Sequence, residues 1–225
     1  KAITKNCRQC DENMNRLFSQ DSSPNSSSSD ECLRCHRLMT HSRIFFQRAK
    51  ADKIHYDLHT AIRGSFYKQF AISPNSIASP DIESQYELFW QWGIQAILST
   101  RQKSSTYSAF TAKVCGATSF TLELGQVKPF GENDLDEFAS IISGLKALIS
   151  DTRSLIIQPS IVERFRVVGE VTKQTESFRL CFSEDIVNFT EFQEGDILAT
   201  DHNYQYVVSA NGERILFPNE NVAIG

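Results

Sequence analysis

Residues 55–65 read HYDLHTAIRGS, and with Ile54 in front they form an apolar, β-prone run that stops abruptly on polar residues. Residues 54–60 therefore predict a buried strand. In a strand, Asp57 and His59 project to one face, two positions apart. A histidine leaving a buried strand at its C-terminal end is placed to ligate zinc; an ordinary core or surface histidine is the other reading of His59.

A second buried strand is predicted at residues 118–125, TSFTLELG. Glu123 is a carboxylate inside that otherwise apolar run. Burying it unpaired is costly, so it requires a partner or a raised pKa, the condition of a general base near neutrality. An exposed edge position is the other reading. Around these strands the 3.6-residue periodicity predicts helices over 36–50 and 81–99, the second with Ile82, Tyr86, Phe89, Ile94 and Ile97 near one stripe. Trp90 and Trp92 read as packing residues. A third helix follows Asn133 and Asp134, which can cap it, with Leu135, Phe138, Ile141, Ile142, Leu145 and Ile149 facing inward. Strands alternating with helices imply an α/β layer architecture.

From Val162 the pattern changes to short period-2 runs, RFRVVGEVTK, SFRLCFS, GDILATD, YQYVVSA and RILFP, separated by turn signals such as Asn211-Gly212. Residues 161–225 are therefore expected to form a small all-β domain after an α/β domain over 1–160, with Gln158-Pro159-Ser160 as the boundary.

The formal charge of −4, with both signs interspersed, offers no basic stripe for a phosphate backbone. Nucleic acid is not an expected partner. No apolar run approaches the ~18 residues of a membrane span, and KAITKNCRQC lacks the apolar core of a secretory signal. A cytoplasmic chain is expected. Six cysteines are too few for a disulfide scaffold and fit a reducing compartment. Cys7-x-x-Cys10 and Cys32-x-x-Cys35 nevertheless have the spacing of a four-thiolate zinc ribbon. Against that, residues 31–41, ECLRCHRLMTH, lack the tight glycine turns of zinc knuckles and lead into a helix. Incidental thiols are the plainer reading, and a c-type haem attachment at Cys32–His36 would need an exported protein. Between the pairs, residues 19–31 form a Ser-rich low-complexity loop. A third polar group, NMNRLF at residues 13–18, joins Arg8 and Arg63 as candidate carboxylate binders, with surface ion pairs as the alternative.

Taken in order, DENMNRLF, HYDLHTAIRGS, TLELGQVKPFGENDLDEF and the closing LFPNENVAIG resemble the succinylglutamate desuccinylase branch of the succinylglutamate desuccinylase/aspartoacylase family, relatives of the zinc carboxypeptidases. The resemblance spans essentially the whole chain. It implies a three-layer α/β sandwich, present in part, followed by the small β domain. It also implies a zinc-dependent hydrolase that cleaves N-succinyl-L-glutamate, a small anionic N-acyl amino acid, in arginine catabolism, with an aspartoacylase-like activity as the neighbouring alternative. By the same resemblance His59 is a zinc ligand and Glu123 the carboxylate that activates water. Asn15 and Arg16 bind a substrate carboxylate, Arg8 polarises the scissile carbonyl, and Arg63 meets a substrate carboxylate. Two positions depart from the family pattern: Asn13 stands where Asp is usual, and Lys113, ten residues before Glu123, where Arg is common. The family's first two zinc ligands come from a His-x-x-Glu motif that none of the five histidines begins. The chain is therefore expected to be a fragment that neither holds catalytic zinc tightly nor turns over by itself.

Overall fold

The strand predicted around Glu123 organises the molecule. The structure, a computed structural model, describes residues 11–19, 28–74, 82–101, 103–150 and 162–225. Among them, five strands form a mixed sheet: β1 (Ile54–Ala61), β2 (Phe70–Ser73), β3 (Ala96–Ser99), β4 (Thr118–Gln126) and β5 (Glu163–Arg166), in the order β1-β4-β2-β3-β5. Only the β2–β4 pair is antiparallel. β4 is buried from Ser119 to Leu124 because helices cover both of its faces, which is why its sequence reads as a nearly continuous apolar run.

The two faces differ in chemistry. Phe120, Leu122 and Leu124 join a core with Tyr86 and Phe89 of α2 (Ile82–Gln91) and Ile141 of α4 (Ala139–Ile149). Ser119, Thr121 and Glu123 point the other way, toward α3 (Tyr107–Cys115), beyond which lies α1 (Asp30–Arg48). Small residues let α3 approach closely, and hydroxyls satisfy one another across the gap: Ser108 Oγ with Thr121 Oγ1 at 2.8 Å, and Thr111 Oγ1 with Ser119 Oγ at 2.9 Å and His55 Nδ1 at 2.7 Å. Burial pushes the His55 imidazole below its ordinary range despite the opposing pull of Asp57. The result is the α/β layering expected from the pattern, built as the α/β/α sandwich that the resemblance implies.

Three expectations need correction. The single helix over 81–99 is instead α2 followed by β3. Gly93, at φ +88°, ends the helix in a left-handed turn with Ile94 N–H donating back to Phe89 O at 2.9 Å. Ile94 and Ile97 still reach the same core, but from the sheet side. Glu163–Arg166, expected within the C-terminal domain, pairs parallel with β3 at the sheet's edge. Arg164 holds it there through a two-pronged ion pair to Glu83 of α2 (3.1 and 2.6 Å). The inward face drawn for residues 135–149 is also too broad. Ile141 is buried, but Leu135 is 70 % and Ile149 84 % exposed, partly because the segment opens with a 3-10 turn, Leu135–Phe138, capped by Asp134, that shifts the helical phase. The Trp residues do pack: Trp92 is buried against Gly144 of α4, and Trp90 borders the same core.

After β5, β6 (Arg179–Leu180), β8 (Ile197–Asp201) and β9 (Tyr204–Val207) form an antiparallel sheet, and β7 (Glu191–Phe192) pairs with β10 (Glu213–Arg214). Buried Asp201 ties this small β domain together. Its carboxylate accepts from Gln174 N (2.7 Å), Thr175 N (3.0 Å), Ser177 Oγ (3.1 Å) and Thr175 Oγ1. These donors, led by the Thr175 hydroxyl, hold its carboxyl at about 2. The stabilisation is complete above the ordinary Asp range near 4, and is lost as pH falls from there toward 2. Melting temperatures measured from pH 5 to pH 2 should therefore fall less steeply in Asp201→Asn than in the wild-type chain; equal slopes would remove Asp201 from the acid limb.

Candidate active site

Parallel pairing of β1 with β4 sets His59 opposite Glu123. Residues 55, 57 and 59 on β1, and 119, 121 and 123 on β4, share the face that looks toward α3. Two candidates found by separate sequence arguments thus become neighbours on one surface. Glu123 is 6 % exposed. His59 Nε2 lies 3.1 Å from Asp57 Oδ2. With Nε2–H donating to that carboxylate, the ring is oriented and Nδ1 carries the free lone pair.

The surface opens into a cavity of about 400 Å³. Asp57 and His59 form its strand wall, Asn15 and Phe18 its second wall, and Tyr107 and the first turns of α1, with Arg34, complete it. The NMNRLF motif reaches this place because residues 14–16 form a 3-10 turn capped by Asn13, whose side chain accepts from Asn15 N at 3.2 Å. Asn caps as Asp does, so this departure from the family pattern keeps the turn. Asn15 Oδ1 in turn accepts from Tyr107 N at 2.9 Å, docking the turn on the start of α3. Tyr107 was not legible as a site residue, although the Thr106 cap before it marks the helix start. Its ring stacks on Phe18 (4.6 Å between centroids), and its hydroxyl lies 2.5 Å from Ser42 Oγ of α1.

Not every candidate meets there. Arg16 is exposed beside Asn15, its Nη1 donating to Asn15 O at 3.2 Å. Arg63 lies outside the cavity wall; its guanidinium donates to backbone carbonyls of the C-terminal domain, Ile186 O at 3.0 Å and Pro218 O at 3.2 Å among them. Lys113 is exposed in the last turn of α3. Arg8, Cys7, Cys10, most of the Ser-rich loop and the boundary at 158–160 lie outside the described residues.

The zinc readings separate on chemistry. Cys32 and Cys35 sit one turn apart on α1, which begins at Asp30 rather than at residue 36. Cys35 is fully buried among Phe18, Met39 and Phe110. Burial, then Cys32, pushes its thiol up to about 11. Both cysteines lie on a regular helix, with Cys35 inside its apolar core, rather than on the tight turns of a zinc knuckle, which argues against the four-thiolate ribbon. Among the described residues no three His, Cys, Asp or Glu side chains gather as a ligand set. His59 fits zinc as a single imidazole ligand braced by a carboxylate; the described residues do not complete a centre.

Comparison with known proteins bears on the same residues. A profile for the succinylglutamate desuccinylase/aspartoacylase catalytic domain matches residues 1–149, and one for the AstE/AspA barrel-sandwich hybrid domain matches 160–225. A succinylglutamate desuccinylase of Burkholderia thailandensis is 39 % identical over 221 residues, covering 97 % of this chain and 62 % of its own length. The crystal structures of succinylglutamate desuccinylases from Vibrio parahaemolyticus and Vibrio cholerae each superpose with a TM-score of 0.87, at 30 % and 34 % identity. They align over 99 % and 100 % of this chain and 65 % of theirs. The chain thus spans somewhat less than two thirds of these relatives. With the two profiles matching residues 1–149 and 160–225, and with crystal structures of that family superposing over nearly all of the chain, the chain belongs to the succinylglutamate desuccinylase/aspartoacylase family.

Proposed function

We propose that the protein carrying this chain hydrolyses the amide bond of N-succinyl-L-glutamate to succinate and L-glutamate, a zinc-dependent step of arginine breakdown in the cytoplasm. The observation that supports it most is the placement of His59 and Glu123 as register partners on one face of β1 and β4, with His59 in the wall of the cavity that Asn15 also lines. Among the described residues no helix is long and apolar enough to cross a membrane.

The chain's own residues divide the work. Glu123, sheltered from bulk water, takes a proton from the attacking water onto its carboxylate and returns it to the departing glutamate nitrogen. Asp57 holds the His59 ring through Nε2, so that the other ring nitrogen would be available to hold zinc. By the family resemblance Asn15, in the cavity wall, and Arg16, exposed beside it, bind a substrate carboxylate, and Arg8 stabilises the oxyanion developing on the scissile carbonyl. Zinc, when bound, supplies the Lewis acidity that brings a water pKa toward ~7.

Acyl preference is the finer part of the proposal. One methylene or isosteric change in a pocket is worth only ~1–3 kcal/mol, so the test is a comparison. The complete protein should release succinate from N-succinylglutamate with a higher kcat/KM than acetate from N-acetylaspartate. The reverse order would assign an aspartoacylase-like activity instead.

A further inference from the structure

We infer that Arg63 is a positioning residue: together with the Asn188 corner of the C-terminal domain it fixes the ends of the two strands that carry His59 and Glu123. The inference rests on the proposed function for the meaning of that pair, though not for the clamp.

Arg63 follows His59 by four residues, in the loop that leaves β1. Its guanidinium donates to Ile186 O, Pro218 O and Glu184 O, which come from two separate segments of the C-terminal domain. A planar fork with five donors suits such a set, whereas an ammonium does not. Beside it the two backbones interlock. Asn188 N donates to Gly64 O (2.8 Å), Phe66 N donates to Asn188 O (3.0 Å), and Ser65 and Asn188 pair as an isolated parallel bridge. The space is tight: a Cβ on Gly64 would stand 3.3 Å from Val187 Cγ1.

Asn188 itself is fully buried, and its Oδ1 accepts from Phe217 N at 2.8 Å. The residue after Asn188 and the donor Phe217 itself are strained. Phe189 and Phe217 hold φ of +67° and +52°, left-handed values that aromatic side chains rarely adopt. Such strain persists only where packing over-determines it. Phe189 is caged by Tyr67 and Phe165 and meets Phe70 edge-on, with ring centroids 5.0 Å apart. Phe70 is the β2 residue paired with Glu123. One corner therefore braces both strands, through Gly64 toward His59 and through Phe70 toward Glu123, without entering the cavity. The family resemblance would give Arg63 a substrate carboxylate; its three carbonyl acceptors and its place outside the cavity wall point to the clamp.

The test uses Arg63→Lys, Arg63→Gln and Asn188→Ala in the complete zinc-loaded protein. Hydrolysis is measured on N-succinylglutamate and on two truncated substrates, N-butyrylglutamate and N-succinyl-γ-aminobutyrate, each lacking one carboxylate. Amide hydrogen exchange at Phe66 and Asn188 is measured alongside. The clamp predicts that kcat falls about 10- to 100-fold with KM nearly unchanged. The loss should be equal on all three substrates, shared by Asn188→Ala, not rescued by Arg63→Lys, and accompanied by faster exchange. A rise in KM that disappears on one truncated substrate, with Asn188→Ala silent, would overturn it in favour of a substrate contact. If the wild-type protein hydrolyses none of the three, the proposed function fails, and exchange still decides the clamp: unchanged protection in Arg63→Lys would refute it. Arg63→Lys carries the test should Arg63→Gln not fold.

Discussion

In the complete protein, Glu123→Gln should lower kcat on N-succinylglutamate by about 10²–10⁴-fold, the range for loss of a positioned general base, while leaving the thermal melt nearly unchanged. The substitution is nearly isosteric in a site that is 6 % exposed, so it removes the proton acceptor and little packing. A purely structural Glu123 predicts the opposite split. An ion-paired or hydrogen-bonded buried carboxylate, once neutralised, costs stability through the groups left facing it, and turnover per folded molecule would survive. Measuring kcat and melting temperature on the same preparation separates the two accounts.

The second large effect concerns packing alone. Gly144→Ala in α4 should destabilise the chain by about 3 kcal/mol, seen as a melting temperature lower by roughly 6–12 °C for a domain of this size. Helix propensity predicts the other sign, since Ala is favoured over Gly inside a helix by ~1 kcal/mol. Steric overlap decides it. A Cβ at position 144 would overlap Nε1, Cδ1 and Cε2 of the Trp92 indole, a rigid ring that is 4 % exposed and wedged against Phe89 and Tyr56. The ring cannot swing aside without opening the core, so α4 must move away from α2. A raised melting temperature would mean that the helix gives way easily and that Trp92 is not clamped there.

The contrast between these two residues shows what could be read from the chain alone. Glu123 was legible because a carboxylate in a run as apolar as TSFTLELG demands a reason, and His59 because it ends a strand beside Asp57. That they face each other was not legible. It depends on β1 and β4 pairing across 64 positions of sequence, and no local pattern specifies that register. The helix drawn through residue 99 failed for a local reason, the left-handed turn at Gly93, whose apolar neighbours continue the helical stripe closely enough to hide it. β5 was placed with the C-terminal strands, in the 160–225 stretch that the hybrid-domain profile also matches, and its pairing with β3 of the main sheet is a long-range fact that a four-residue strand does not announce. Arg63 teaches the same lesson for function. The motif HTAIRGS draws attention to the residue, but only the fold shows its donors meeting the carbonyls around Asn188.

The central claim is that His59 and Glu123 are two halves of one centre, the first holding the metal and the second moving the proton. Zinc titration calorimetry on the complete wild-type protein, His59→Gln and Glu123→Gln tests it most directly. The account predicts that His59→Gln weakens zinc binding by more than ~100-fold, beyond the ~10–100-fold expected for a residue that only supports a ligand, while Glu123→Gln binds zinc as the wild type does. Undiminished zinc affinity in His59→Gln would contradict it.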